Sequence, residues 1–171
     1  MNKHKKYDAS SIEVLEGLEP VRRRPGMYIG GTDNASMHHL FSEVIDNAMD
    51  EAVANFASFI EVKVETDNTI SIYDNGRGIP IDPHPNFPDK SALEVIMTTL
   101  HAGGKFSNKV YQTSGGLHGV GISVVNALSE FVDVEVYRDK KIYNQKFSKG
   151  HPTSKLKERS EERRVGKECE R

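Results

Sequence analysis

Between His101 and Gly121 the chain places six of its fourteen glycines, with little apolar content. Such a stretch packs poorly as helix or strand, and a long glycine-rich loop inside a compact domain is usually functional. The fold must therefore be assembled from what lies on either side. The last glycines form Gly115-Gly116-Leu117-His118-Gly119-Val120-Gly121, and an apolar run, Ile122 to Leu128, follows at once. That order predicts a helix whose free N-terminal N–H groups face the loop. Glycine lets several such groups converge on phosphate oxygens. Lys105, after Gly103-Gly104, supplies a positive charge from the adjacent segment. No Gly-Lys-Ser/Thr follows the glycines, so this is not a Walker A loop. The G-x-x-G-x-G spacing, with no strand just before it, also excludes the dinucleotide fingerprint. A plain hinge is the bland alternative.

A long helix is predicted from about Ser36 to Asn55. Met37, Leu40, Phe41, Val44, Ile45, Ala48, Ala52 and Val53 repeat at the spacing of one buried face. Glu43, Asp46, Asn47 and Asp50 fall within an arc of roughly 100° on the opposite side. Carboxylates one turn apart repel each other, so the pattern gains from a cation or a positive partner. No Lys or Arg occurs from residue 33 to 62, although a surface face normally mixes signs. Asn47 adds a neutral oxygen ligand, which suits a Mg²⁺ that keeps most of its water. His39, one turn before Glu43, is placed to orient that carboxylate. A solvated helix face is the competing reading.

Phe59 to Thr66 and Thr69 to Tyr73 alternate apolar and polar residues and read as strands joined at Asp67-Asn68. The second strand runs straight into Asp74-Asn75-Gly76-Arg77-Gly78-Ile79-Pro80. Asp74 at the strand end suits an exocyclic amine such as that of adenine. Gly76 and Gly78 allow close backbone approach, Ile79 and Pro80 offer an apolar wall, and Arg77 is expected to pair with Glu51. A common Asp-Gly turn is the alternative. The segment from Asp74 to Lys90 holds four of the seven prolines and reads as a loop. Ser91 caps a helix to about Leu100, with Leu93, Ile96, Met97 and Leu100 inward. Two further strands, Phe131 to Tyr137 and Lys141 to Phe147, flank a turn at Arg138-Asp139-Lys140.

At the ends the patterns weaken. Residues 1–10 read as a flexible arm. A short helix capped by Ser10 or Ser11 is expected to run to Arg23 and stop at Pro25-Gly26. Residues 11–150 form the predicted domain, and 151–171 a solvated or foreign tail, since eleven of the fifteen residues from Lys157 to Arg171 are charged. The 171 residues carry a net charge of −2 and one cysteine, Cys169. That excludes an internal disulfide and a Cys-based zinc site. No stretch nears the roughly 18 apolar residues of a membrane span, so a soluble cytoplasmic protein without membrane contact is expected.

The order of these signals resembles the Bergerat ATP-binding fold of the GHKL superfamily, an α/β (α+β) two-layer sandwich whose mixed β-sheet is covered on one face by helices. The segments Pro20 to Gly30, Glu43 to Ala52, His101 to Phe106 and Ser114 to Ser129 resemble the N-terminal ATPase domain of bacterial type IIA topoisomerase B subunits. Leu18 to Arg24, Phe106 to Lys109 and Ile142 to Asn144 are more similar to the topoisomerase IV kind than to the gyrase kind. The resemblance spans about residues 7–150. Other GHKL members, such as histidine kinase or mismatch-repair ATPase domains, and a non-catalytic nucleotide-binding fragment stand as alternatives.

The resemblance implies that Glu43 is the general base for hydrolysis of ATP, supported by His39, and that Asn47 ligates Mg²⁺. It implies a nucleotide site of Tyr7, Asn47, Asp50, Asp74, Gly78, Ile79, Lys105, Tyr111, Gly116, Leu117, His118, Gly119, Val120, Gly121 and Ile122. Tyr7 and Ile12 belong to the arm that crosses to a second B subunit in an ATP-dependent dimer. Pro80 and Arg138 match positions beside the adenine pocket where the family binds aminocoumarins. An A subunit and DNA are the implied partners of the complete protein. The family's Gly-Thr-x-Val-x-Phe strand, and the following domain that donates a Lys to the γ-phosphate, are not found here. The chain by itself is therefore expected to bind ATP weakly and hydrolyse it very slowly.

Overall fold

A computed structural model describes residues 8–103 and 120–160. The N-terminal helix is shorter than its pattern suggested. A 3₁₀ turn covers Ala9–Ser11, and the α-helix α1 begins only at Glu19 and ends at Arg23. Proline explains the difference. A helix from Ser11 would bury Pro20 mid-helix, where it lacks a donor and clashes with a preceding carbonyl; in α1 it sits in the tolerated first turn. Pro25 then starts a second short helix, α2 (Gly26–Ile29), where a stop was expected.

The long helix α3 spans Asn34–Val53, with Asp33 as N-cap accepting from the Ser36 N–H. Strands β1 (Ile60–Val64) and β2 (Ile70–Asp74) form an antiparallel hairpin. Its turn follows the sequence: Asn68 takes a positive φ of 65° and the Asp67 carboxylate accepts from Thr69 N–H. The proline-rich stretch is not all loop. It contains a short irregular hairpin, β3 (Pro83–His84) with β4 (Phe87–Ser91). Ser91 caps α4 (Ala92–Thr98) through Glu94 N–H, as predicted. Leu93, Val95 and Met97 are its buried residues, with Ile96 half-buried.

After the glycine-rich segment come α5 (Gly121–Leu128), β5 (Val132–Arg138) and β6 (Lys141–Ser148). The β5–β6 turn is Asp139-Lys140, both at positive φ. Order extends past Gly150. Strands β7 (His151–Pro152) and β8 (Lys157–Ser160) pair with β6, and Leu156 packs on the core. The charge run hid this, because charged residues on an edge strand leave its ladder bonds untouched. All described strand pairs are antiparallel.

Two apolar clusters hold these elements. Leu93 and Met97 of α4 pack on Val136 and Phe147, with Ile79, Ile81 and Ile122 at the margin. Leu18, Val21 and Ile29 pack on Val124 and Ala127 of α5, with Leu40 of α3 beside them. Helix α5 therefore joins both clusters, Ile122 on one side and Val124 with Ala127 on the other. Its C-terminal end is tied as well: Arg22 Nη1 donates to Ala127 C=O at 2.6 Å, and the fully buried Asn126 donates to Met97 C=O at 2.8 Å. Both satisfy carbonyls near helix C-termini.

Candidate active site

A cleft of about 260 Å³ lies where α2, α3 and α5 meet. Tyr28 and Gly30 line one side, His39 and Glu43 another, and Val120 with Gly121 the third. Glu43 is half-buried, and its carboxylate rests against Gly121 so closely that a Cβ there would overlap it. Glycine at 121 is thus required by the approach of an acid to the first turn of a helix, a region that favours negative charge. The family resemblance implies a site that takes in His39, Glu43 and the residues that open α5, and these line the cleft. It did not single out Tyr28 or Gly30, although both lie in the Pro20 to Gly30 segment that carries the resemblance.

A second group of predicted residues forms around the turn after β2. Asp74 is half-buried, and its Oδ1 accepts from Gly76 N–H at 2.8 Å. Arg77 donates to Glu51 from its backbone N–H and from Nε, both at 3.0 Å, and from Nη2 at 2.7 Å. The same guanidinium lies 3.6 Å from the Phe56 ring centroid. The expected Arg77–Glu51 pair is therefore present and bidentate, and it fixes the turn against α3. Gly78 takes φ +72°, and a Cβ there would press on Tyr137 C=O at 3.0 Å. Arg138 Nη1 donates to Gly78 C=O at 3.2 Å, and Ile79 packs on the α4 cluster beside Ile122. Pro80 is exposed on the same turn.

The acidic arc of α3 differs from its expected form. Asp50 is only 4% exposed, Asp46 is exposed and Glu43 faces Gly121. The three carboxylates do not converge, because α3 is packed on more than one side. Met37, in the first turn of α3, and Val53, its last residue, were expected inward and are exposed, at 61% and 57%. Among the described residues no group of three or more His, Cys, Asp or Glu is gathered to hold a metal ion. Asn47, half-buried one turn beyond Glu43, is a single neutral oxygen donor. That donor set fits a Mg²⁺ whose remaining ligands come from phosphates and water, and does not fit an all-protein cage. Tyr7, Lys105, Tyr111, Gly116, Leu117, His118 and Gly119 lie outside the described residues. Val120 is the N-cap position of α5, and its carbonyl accepts from Ser123 Oγ at 2.9 Å.

A helix that presents an acid to the glycine-opened start of a second helix, next to an Asp-x-Gly-x-Gly turn, matches a known class. Residues 32–164 match the family described as histidine kinase-, DNA gyrase B- and HSP90-like ATPase, and the chain belongs to that family. The B subunit of DNA topoisomerase 4 from Rickettsia felis is 70% identical over 150 residues, covering 88% of this chain and 23% of that protein. The B subunit of DNA gyrase from Thermotoga maritima is 58% identical over 149 residues, or 87% of this chain and 23% of that protein. The crystal structure of the 43K ATPase domain of Thermus thermophilus gyrase B, in complex with an aminocoumarin, aligns with a TM-score of 0.73 at 47% identity. That alignment covers 86% of this chain and 36% of the other. The chain thus spans less than a quarter of the length of the Rickettsia and Thermotoga relatives. Among the described residues no helix is long and apolar enough to cross a membrane.

Proposed function

We propose that this chain is the ATP-binding part of a bacterial type IIA topoisomerase, from a B subunit of the topoisomerase IV kind. The observation that carries the reading is the Glu43 carboxylate against Gly121, in one cleft with His39. An acid there is poised over a helix N-terminus, so it can take a proton from water while main-chain N–H groups hold the phosphate under attack. The higher identity to the topoisomerase 4 relative than to the gyrase relative supports the finer assignment.

The nucleotide would lie along α3. Glu43 and Glu51 are eight residues apart on that helix, a rise of about 12 Å. At the Glu51 end Asp74 accepts from the purine amine, with Oδ1 already fixed by Gly76 and Oδ2 left to the ligand. Gly78 and Ile79 border the ring. At the Glu43 end Val120, Gly121 and Ile122 begin the phosphate cradle, to which Lys105, Tyr111 and Gly116 to Gly119 contribute. His39 positions Glu43, and Asp50 supports this wall from inside the protein. Asn47 would hold Mg²⁺, whose charge neutralises the phosphates during transfer. In the complete protein, Tyr7 and its arm would reach a second B subunit, and ATP-driven closure would act with an A subunit on DNA in the cytoplasm. Pro80 and Arg138 are the proposed contacts for an aminocoumarin.

Calorimetry with a non-hydrolysable ATP analogue, with and without Mg²⁺, tests the site. Removing the charged acceptor by Asp74→Asn is expected to weaken binding about 10- to 100-fold. Made in the complete B subunit, Glu43→Ala is expected to retain affinity within a few fold while phosphate release falls by about 10²–10⁴. Unchanged affinity in Asp74→Asn overturns the purine assignment. Intact phosphate release in Glu43→Ala overturns the role of Glu43 and favours a kinase-like member of the family.

A further inference from the structure

In a hydrogen-bonded antiparallel pair the two residues exchange both backbone bonds. Phe59 and Asn75 stand opposite each other, one rung beyond the Ile60–Asp74 pair. Asn75 N–H donates to Phe59 C=O at 3.2 Å, but the return bond goes to a side chain. Phe59 N–H donates to Asn75 Oδ1 at 3.0 Å. The same oxygen accepts from Ser58 N–H at 2.8 Å, and Asn75 Nδ2 donates to Ser58 Oγ at 3.0 Å. The amide side chain thus stands in for the residue's own carbonyl. It closes the last rung while the backbone turns away directly after Asp74.

The connector that Asn75 grips is itself fixed. Phe56 and Ala57 N–H both donate to Glu51 C=O, at 2.8 and 3.0 Å, and Asn55 takes a positive φ of 61° in that bend. The Glu51 carboxylate and the Phe56 ring hold Arg77. Residues 75 and 77 are therefore both anchored to the stretch from Glu51 to Phe59. Gly76 lies between them with no room to shift: a Cβ there would sit 2.7 Å from Asp74 Oδ1 and 3.0 Å from Glu51 Cβ. From that place Gly76 N–H sets the Asp74 carboxylate through Oδ1. Arg77 secures the far side of the turn, and Asn75 the side next to the acid. Building on the purine reading of Asp74, we propose that Asn75 is a positioning residue that sets the adenine preference of this site. Without its amide, the backbone carbonyl at 75 is the replacement acceptor for Phe59 N–H. Taking that bond would extend the strand by one residue and draw Gly76 N–H off Asp74 Oδ1. The carboxylate would then lose the angle at which it meets an exocyclic amine. Asn75 is exposed, so truncation there leaves no buried cavity and moves the turn without unfolding the protein.

Calorimetry on the complete B subunit, with non-hydrolysable triphosphates that carry adenine or hypoxanthine, tests this role. Hypoxanthine has a carbonyl where adenine has its amine. The ratio of the two affinities therefore reports the Asp74 contact and cancels general damage to the site. The parent is expected to prefer adenine about 10- to 100-fold. Asn75→Ala is expected to lower that ratio about tenfold, chiefly by weakening the adenine nucleotide. Asn75→Asp keeps an acceptor for both N–H groups, and the Ser58 hydroxyl can turn to donate to its second oxygen. It is expected to hold the ratio within about threefold. Asn75→Ser, whose hydroxyl reaches one of the two N–H groups, is expected to fall between them. In Asp74→Asn the ratio is already low, and adding Asn75→Ala should lower it no further. Unchanged circular dichroism checks that each variant folds. A parental ratio in Asn75→Ala, or a loss shared equally by both nucleotides, overturns the proposal, as do additive losses in the double variant. If Asp74→Asn lowers the ratio and Asn75→Ala does not, the role of Asn75 falls alone. If Asp74→Asn leaves the ratio unchanged, the purine reading falls and this proposal with it.

Discussion

Among the described residues two long hairpins share nearly the same sequence pattern and meet opposite fates. In β1–β2, Ile60, Val62 and Val64 alternate with Glu61 and Lys63, and the apolar face stays largely in water. In β5–β6, Val132, Val134 and Val136 alternate with Asp133 and Glu135, yet Val136 and Phe147 are 4% and 1% exposed. The difference lies in what covers them. Helix α4 lays Leu93 and Met97 on β5–β6, with the Ile79–Ile81 turn and Leu156 closing the sides. Strand alternation names the apolar face of a sheet, but burial depends on a second layer that the strand itself does not encode.

The largest expected effect follows from that contrast. Phe147→Ala should cost about 3–5 kcal/mol, because the surrounding helix and strands are fixed and leave a cavity. Chemical denaturation should show a much lower midpoint with little change in slope. A cost near 1 kcal/mol would mean that the β5–β6 face is no better packed than β1–β2. Next comes Gly78→Ala, which forces a side chain into positive φ and against the Tyr137 carbonyl. A cost of about 1–3 kcal/mol is expected, and loss of nucleotide affinity should accompany it if Gly78 borders the ring. Ser91→Ala removes the α4 cap and should cost about 1 kcal/mol. It would loosen β5–β6 through its cover, and leave the β1–β2 signals in amide exchange unchanged.

The same contrast shows how much was legible in advance. Local chemistry was read well: the Asp67-Asn68 turn, the Ser91 cap, the Arg77–Glu51 pair and the glycine-opened helix at 121 each depend on a few adjacent or specifically charged residues. Errors came where a distant element decides. The arc of Glu43, Asp46 and Asp50 holds for an isolated helix, whereas α3 packs against α2, α5 and β2 and buries Asp50. The N-terminal helix was overextended because the cap signal at Ser11 takes no account of the cost of Pro20 mid-helix. In the site, the grouping of Glu43 with Gly121 came from the family resemblance and not from the spacing of the residues themselves. The contributions of Tyr28 and Gly30 required α2, a helix that Pro25 seemed to forbid by its own ring chemistry but in fact starts.

The smallest effect tests whether the poorly covered hairpin draws its order from α3, the helix packed beside β2. Asp33 caps that helix, and hydrogen bonds from the Ser36 hydroxyl and backbone N–H hold its carboxyl below the ordinary carboxylate range. The folded state therefore binds this proton less readily than the unfolded chain. Its contribution is complete above the unfolded value, and it is lost as pH falls through the lower folded value. Between about pH 5 and pH 3, fraying should begin at the start of α3. If α3 supports β1–β2, exchange of the Lys63 and Ser71 amides, which face each other across a hydrogen-bonded rung, should speed up over the same window, and Asp33→Asn, which keeps an acceptor without titrating, should flatten that dependence. The amides of Val136 and Phe147, covered by α4, should not follow. If all four respond together, the two hairpins form one cooperative unit, and the difference in their covering layers does not divide the fold.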